Sequence, residues 1–183
     1  MFRKITVLLC IFMLTSVFMS SSAEMSGKPR MAVIPFANQS AGYSSPSLTE
    51  CLKTTRDNIE SDLVQTGYFD SLSRTEIDRL LDEIKLDHSG LVDPATAAKY
   101  GKMVGAQYLV LGSVSGLNPT PNGRYNVHLS LRMIEVETAR IFLAGRGVCK
   151  SGNDVEEALE KAAQDALDGQ RGLLTMYKGG IHR

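Results

Sequence analysis

The sequence predicts an α/β (α+β) domain built on one mixed five-stranded sheet, in the order β-α-β-α-α-β-β-β-α, with helices packed on the sheet. Three features point there. Tyr108, Leu109, Val110 and Leu111 form an unbroken apolar run of strand formers, as in strands covered on both faces. Upstream of that run, apolar residues recur at helical spacing between short strand-like segments. Downstream, Arg124 to Glu135 alternates, with Tyr125, Val127, Leu129, Leu131 and Met133 on one side and Asn126, His128, Ser130 and Arg132 on the other. That is the pattern of an antiparallel strand with one exposed face. Right-handed crossovers make the first three strands parallel around the first, and hairpin-linked strands extend one edge, so the expected order is 2-1-3-4-5.

Each element has its own signals. Arg30 to Phe36, RMAVIPF, reads as the first strand, with Pro35 marking where pairing stops. Ala37 to Ser47 is a loop of turn residues. Ser47 or Thr49 caps a helix whose buried face is Leu48, Leu52, Thr55, Ile59 and Leu63, and Thr66-Gly67 ends it. Tyr68 to Ser73 is a short strand. Thr75 caps the next helix, with Asp78 three residues on as a weak capping box, and Ile77, Leu80, Leu81, Ile84 and Leu86 line its inner side. His88-Ser89-Gly90 breaks that helix. Asp93-Pro94 then gives an N-cap followed by proline at the first helical position, opening a small-faced helix through Val104. Gly105 sits where a helix end wants positive φ, and Gly112 and Gly116 inside the following strand suggest close backbone approach or a bulge. Asn118 to Gly123 is a hairpin loop, Glu137-Thr138 a turn, and Arg140 to Cys149 the last strand. The final helix carries Val155, Ala158, Leu159, Ala162, Ala163, Ala166 and Leu167 on one face and Glu156, Glu157, Glu160, Lys161 and Asp165 on the other.

The amino terminus reads as an export signal. Arg3 and Lys4 precede an apolar core of about 15 residues, shorter than the ~20 a spanning helix needs, and Ser21-Ser22-Ala23 supplies small residues for cleavage between Ala23 and Glu24. No small residues precede Cys10 as lipidation would require. The expected organisation is a signal peptide over 1–23, a short lead over 24–29, a single domain over 30–177 and a tail over 178–183. Removing Arg3 and Lys4 from the 20 basic residues leaves 18 against 20 acidic ones, a net charge of about −2. That balance predicts no nucleic-acid or anionic-membrane partner, and no second apolar segment suggests a transmembrane helix in the mature chain. Cys51 and Cys149 remain after export; an oxidising compartment permits a disulfide between them, and two free, partly buried thiols are the alternative.

MAVIPF, SDLVQTGYFDSLSRTEIDRLLDEIKLDHSGLVD, AAKYGKMVGAQYLVLGSVSG and LRMIEVETARIF, in that order, resemble the CsgG family of bacterial envelope proteins over roughly Arg30 to Ala144. That family includes the curli secretion component and, more distantly, the LpoB activator of a peptidoglycan synthase. The most specific part of the resemblance is the Arg74 helix, the Ser89-Gly90-Leu91 turn, and the segment from Gly105-Ala106 to Gly112-Ser113. The resemblance implies a soluble periplasmic core domain, with Gly90, Gly105, Ala106, Gly112 and Ser113 in structural roles. It departs from the curli component in leaving no segment over for membrane strands of ~9–11 residues.

No chemistry-bearing cluster stands out. His88, His128 and His182 are far apart in sequence and none neighbours a cysteine, so no metal or catalytic site is expected. Asp78, Asp82 and Glu83 share a helix with Arg79 and Lys85, the pattern of a solvated face. Gly101, Gly105 and Gly112 precede a strand, whereas phosphate loops follow one. The loop Asn38 to Ser47, at the carboxyl edge of parallel strands, is open to ligand binding, to protein contact and to a connecting role, ligand binding ranking last because the loop holds no charged residue. The expected function is thus a non-catalytic exported accessory or scaffold protein in envelope assembly or secretion, without cofactor, in the periplasm or peripheral to the outer membrane. Its expected partners are envelope proteins, with a homo-oligomer open. The alternative is an oligomeric component of an outer-membrane secretion apparatus, and behind it an activator of peptidoglycan synthesis or an enzyme.

Overall fold

In the computed structural model, which describes residues 27–40, 44–83 and 93–180 (beyond residue 170, the backbone alone), the sheet is mixed and six-stranded. The elements are β1 (Arg30–Val33), β2 (Ala37–Asn38), α1 (Pro46–Gln65), β3 (Asp70–Ser71), α2 (Arg74–Glu83), α3 (Pro94–Met103), β4 (Tyr108–Pro119), β5 (Tyr125–Glu135), β6 (Arg140–Gly152) and α4 (Val155–Gly180). The strand order is β3-β1-β4-β5-β6, with β2 also on β4. β1 lies parallel to β3 and β4, while β4, β5 and β6 form an antiparallel meander. This is the expected order of five strands with one short strand added.

That added strand corrects the reading of Pro35. Proline has no N–H for the ladder, so pairing pauses there. It does not stop. Ile34 N still donates to Val110 O (3.1 Å), and β2 resumes on the same neighbour, pairing Ala37 with Ser113 and Asn38 with Val114. Two helix starts also differ from expectation. Pro46 occupies the first turn of α1, so Ser45 and neither Ser47 nor Thr49 is the cap; its Oγ accepts from Leu48 N at 3.1 Å. α2 begins at Arg74, with Ile77 N donating to Ser73 O, so Thr75 is inside the helix and Asp78 is free of a capping box. Asp93 caps α3 as read, accepting from the amides of Ala95 and Thr96.

The sheet separates two apolar layers. One, under α1 and α4, gathers Met31, Val33, Phe36, Ile59, Leu63, Phe69, Tyr108, Val110, Leu129, Leu131 and the alanine face of α4. The other, under α2 and α3, is smaller: Ala32, Ile34, Ile77, Leu81, Ala97, Leu109, Leu111 and Ile134. α4 comes very close to β6. A Cβ on Gly147 would lie 1.7 Å from Ala162 O, and one on Gly145 2.3 Å from Ala166 O. Small residues on both partners are therefore what lets this helix seat on the sheet.

Candidate functional site

The polar centre of the molecule lies at the carboxyl ends of β1 and β3, between α1 and α2. In parallel sheets this is the edge where side chains from the following helices converge. There a cavity of about 540 Å³ is lined by Pro35, Phe36, Leu52, Arg56, Arg74 and Asp78, with Thr49, Lys53, Asp57 and Thr75 at its sides. Pro35 and Phe36 arrive because β1 has just paused; α1 brings Leu52 and Arg56 on successive turns of one face.

Arg56 dominates the electrostatics. Its side chain is only 5% exposed, and Nη1 donates to Asp78 Oδ1 at 2.9 Å. Nε and Nη2 are closed to solvent and have no hydrogen-bond partner. Buried polar groups are overwhelmingly hydrogen-bonded, because stranding one costs about 1–3 kcal/mol and more for a charge. Arg56 is the one buried arginine of this cluster, and its guanidinium is bonded to protein through a single nitrogen. Beside it, Arg74 donates to Asp57 (2.5 Å), and its Nε lies 3.1 Å from Glu60 Oε2, near enough for an ion pair but not aligned as a hydrogen bond. The Asp57 bond, with Glu60 behind it, raises the Arg74 guanidinium above its already high range. Ser71 Oγ bonds the other oxygen of Glu60. The arrangement is a network of arginines, carboxylates and a hydroxyl in which each arginine is held by a carboxylate.

The described glycines, Ala106 and Ser113 that the sequence singled out do not line this cavity. Gly105 has φ +72° just past α3, and Ala106 N closes that helix by donating to Gly101 O. Gly112 is a close approach: an added Cβ would lie 2.5 Å from the Phe36 ring. Gly116 has φ +64° at the register shift between Ser115 and Asn118, which is a bulge. Ser113 is nearly buried in mid-strand, paired with Ala37 and Ser130. His128 is exposed. Gly90, His88, His182, Ala23 and Glu24 lie outside the described residues. Cys51 and Cys149 are both free; Cys149 is buried and Cys51 half-buried against the same apolar layer. Burial, then the carboxylates of Glu156 and Asp154, push the Cys51 thiol up. Among the described residues, no three His, Cys, Asp or Glu side chains converge as a metal site would need.

Asp78 corrects the reading of its helix. Arg79 and Glu83 do form a solvated pair at 2.6 Å, but Asp78 turns inward to Arg56. Arg56, Glu60 and Arg74 were not anticipated. Leu52, Arg56 and Glu60 are four residues apart, and each step of four drifts round the helix. The two charges therefore fall beyond the edge of the arc marked by Leu48, Ile59 and Leu63, where charged residues read as solvated.

The family model described as "Curli production assembly/transport component CsgG" matches residues 14–124. Curated proteins give no match. Among solved structures, the lipoprotein GNA1162 from Neisseria meningitidis is similar over 84% of this chain and 94% of its own, at 12% identity and a TM-score of 0.53. The PelC dodecamer from Paraburkholderia phytofirmans aligns over 80% and 87%, at 13% identity and a TM-score of 0.49. The LpoB C-terminal domain from Salmonella enterica aligns over 70% and 87%, at 18% identity and 0.47. At such identities the GNA1162 likeness is one of fold.

Proposed function

This chain belongs to the CsgG family, and from that premise we propose that it is an exported accessory or scaffold protein of the cell envelope. It works in assembly or secretion through protein–protein contacts, without bond-making chemistry of its own. The family match, to a component described by assembly and transport, is the observation that carries this reading. Two features of the molecule support it. No helix among the described residues is long and apolar enough to cross a membrane. The charged cavity between α1 and α2 carries arginines held by carboxylates, groups suited to recognition.

The experiment is fractionation of cells producing the full chain, with the mass of the recovered protein measured intact. A periplasmic protein beginning at Glu24 is the expected result. A cytoplasmic protein retaining its first 23 residues contradicts the reading. Light scattering on the same material addresses the alternative of a ring-forming transport component: a stable single-chain mass removes it.

A further inference from the structure

We propose that the outer edge of β6 takes up an extended segment of a partner protein as a further antiparallel strand, one that carries carboxylates on alternate residues. The proposal deepens the scaffold reading and rests on it. The surface lies at the opposite side of the sheet from the α1–α2 cavity. β6 is 13 residues long and ends the strand order, with β5 on one side of it and no strand among the described residues on the other. One bond shows which of its backbone groups point outward. Val148 N donates to Asp165 Oδ2 of α4 at 3.0 Å, away from β5. In an antiparallel ladder outward and inward residues alternate, and the register runs without a shift from Leu143 to Cys149. Ala144 and Arg146 therefore present both N–H and C=O outward, while Gly145 and Gly147 bond β5. Asp165 closes the ladder at Val148. Among the described residues, no bond closes it at Ala144 or Arg146.

Charge selects the occupant. Gly145 and Gly147 face α4, so Ala144 and Arg146 lie on the other face of the sheet. Both are exposed there, and Arg132 stands opposite Ala144 on β5. Ile141, opposite Ile134 on that face, is 47% exposed at the far end of the same strand. On the side of α4 the exposed groups are instead the carboxylates Asp165 and Asp168. An incoming strand therefore meets arginines on one face and carboxylates on the other. Side chains of a strand alternate between faces, so acidic residues at every second position satisfy the arginines and avoid α4. A second copy adding its own β6 would bring another Arg146 alongside the first, and like charges across a strand pair are destabilising. The edge thus turns away its own kind and accepts an acidic partner.

The test is an amide NMR titration of the exported chain with the capped peptide Thr-Glu-Val-Glu-Val-Thr and three relatives. One has lysine for each glutamate, one is N-methylated at both glutamates, and one is N-methylated at both valines. Residues directly opposite each other in an antiparallel pair share a face and exchange both bonds. The glutamates that meet Arg146 are therefore the residues whose N–H groups bond β6, and the valine N–H groups point away. The expected result is saturable shifts confined to Leu143 through Val148 and the facing part of β5, with an affinity on the order of millimolar for so short a peptide. Methylation at the valines leaves binding in place, methylation at the glutamates abolishes it, and the lysine peptide binds at least tenfold more weakly. Ala144→Pro removes an outward N–H from an edge strand, where proline is tolerated, and abolishes binding; Arg146→Glu weakens it at least tenfold. Equal response to the acidic and lysine peptides, indifference to methylation at the glutamates, absence of saturable shifts, or undiminished binding by Ala144→Pro overturns the proposal. The peptide comparisons use the unaltered protein, so they decide even if both variants fold poorly. Should every peptide fail while envelope partners are still captured in cells, the edge falls and the scaffold reading survives.

Discussion

Replacing Gly147 with alanine places a Cβ against the carbonyl of Ala162, a backbone atom that can yield only if α4 lifts from the sheet. Gly147→Ala is expected to cost about 3 kcal/mol or more, read from a urea unfolding curve with an unchanged m-value. Gly112→Ala meets the Phe36 ring, which can rotate in part, so a loss of about 1–3 kcal/mol is expected. Ser45→Ala removes the cap of α1 and should cost about 1 kcal/mol, against a negligible effect for Ser47→Ala. An equal effect of both would restore the cap to the wrong residue. At this scale the sequence was legible where backbone geometry alone decides: Gly105, Gly112 and Gly116 all do what glycines at a helix end, a close approach and a bulge must do. Arg56 and Glu60 were illegible for the opposite reason. Charged residues are assigned to solvent by default, and only the folding of α2 across α1 supplies the partners that let them be buried.

At the scale of elements, alternation and apolar runs sufficed for β4, β5 and β6, because long strands repeat their pattern many times. The two-residue strands β2 and β3 have no room for a period. Their pairing is set by β1 and β4, so their limits could not be read from their own residues. Helix ends carry the acid response. Asp93 is held below the usual carboxylate range by the Thr96 hydroxyl and then its amide, and Glu157 by Lys161 and then the Asn153 amide. Both carboxylates have folded-state pKa values below their unfolded ones. Their contribution is present above the unfolded values and is lost as pH falls through the folded ones. Thermal stability should thus hold through neutral pH and decline below about pH 4. The double variant Asp93→Asn, Glu157→Gln should be less stable at pH 7 and show a shallower acid decline, measured as Tm against pH. Parallel profiles for the two proteins would remove these caps from the acid response.

For the whole molecule, the fold class and strand order followed from connection rules once the elements were placed, since right-handed crossovers leave few choices. The site did not follow. It assembles from α1, α2 and the end of β1, three segments whose approach no local pattern encodes. On the function proposed for it, this CsgG-family chain acts by contact with other envelope proteins. Photo-crosslinking in living cells tests it most directly, with the reactive group placed at the cavity rim on Lys53 and, as comparison, on exposed Glu76. The expected result is reproducible capture of the same few envelope proteins, with the Lys53 position the more productive. Capture of none, or of cytoplasmic proteins alone, from cells in which the chain is abundant would contradict it.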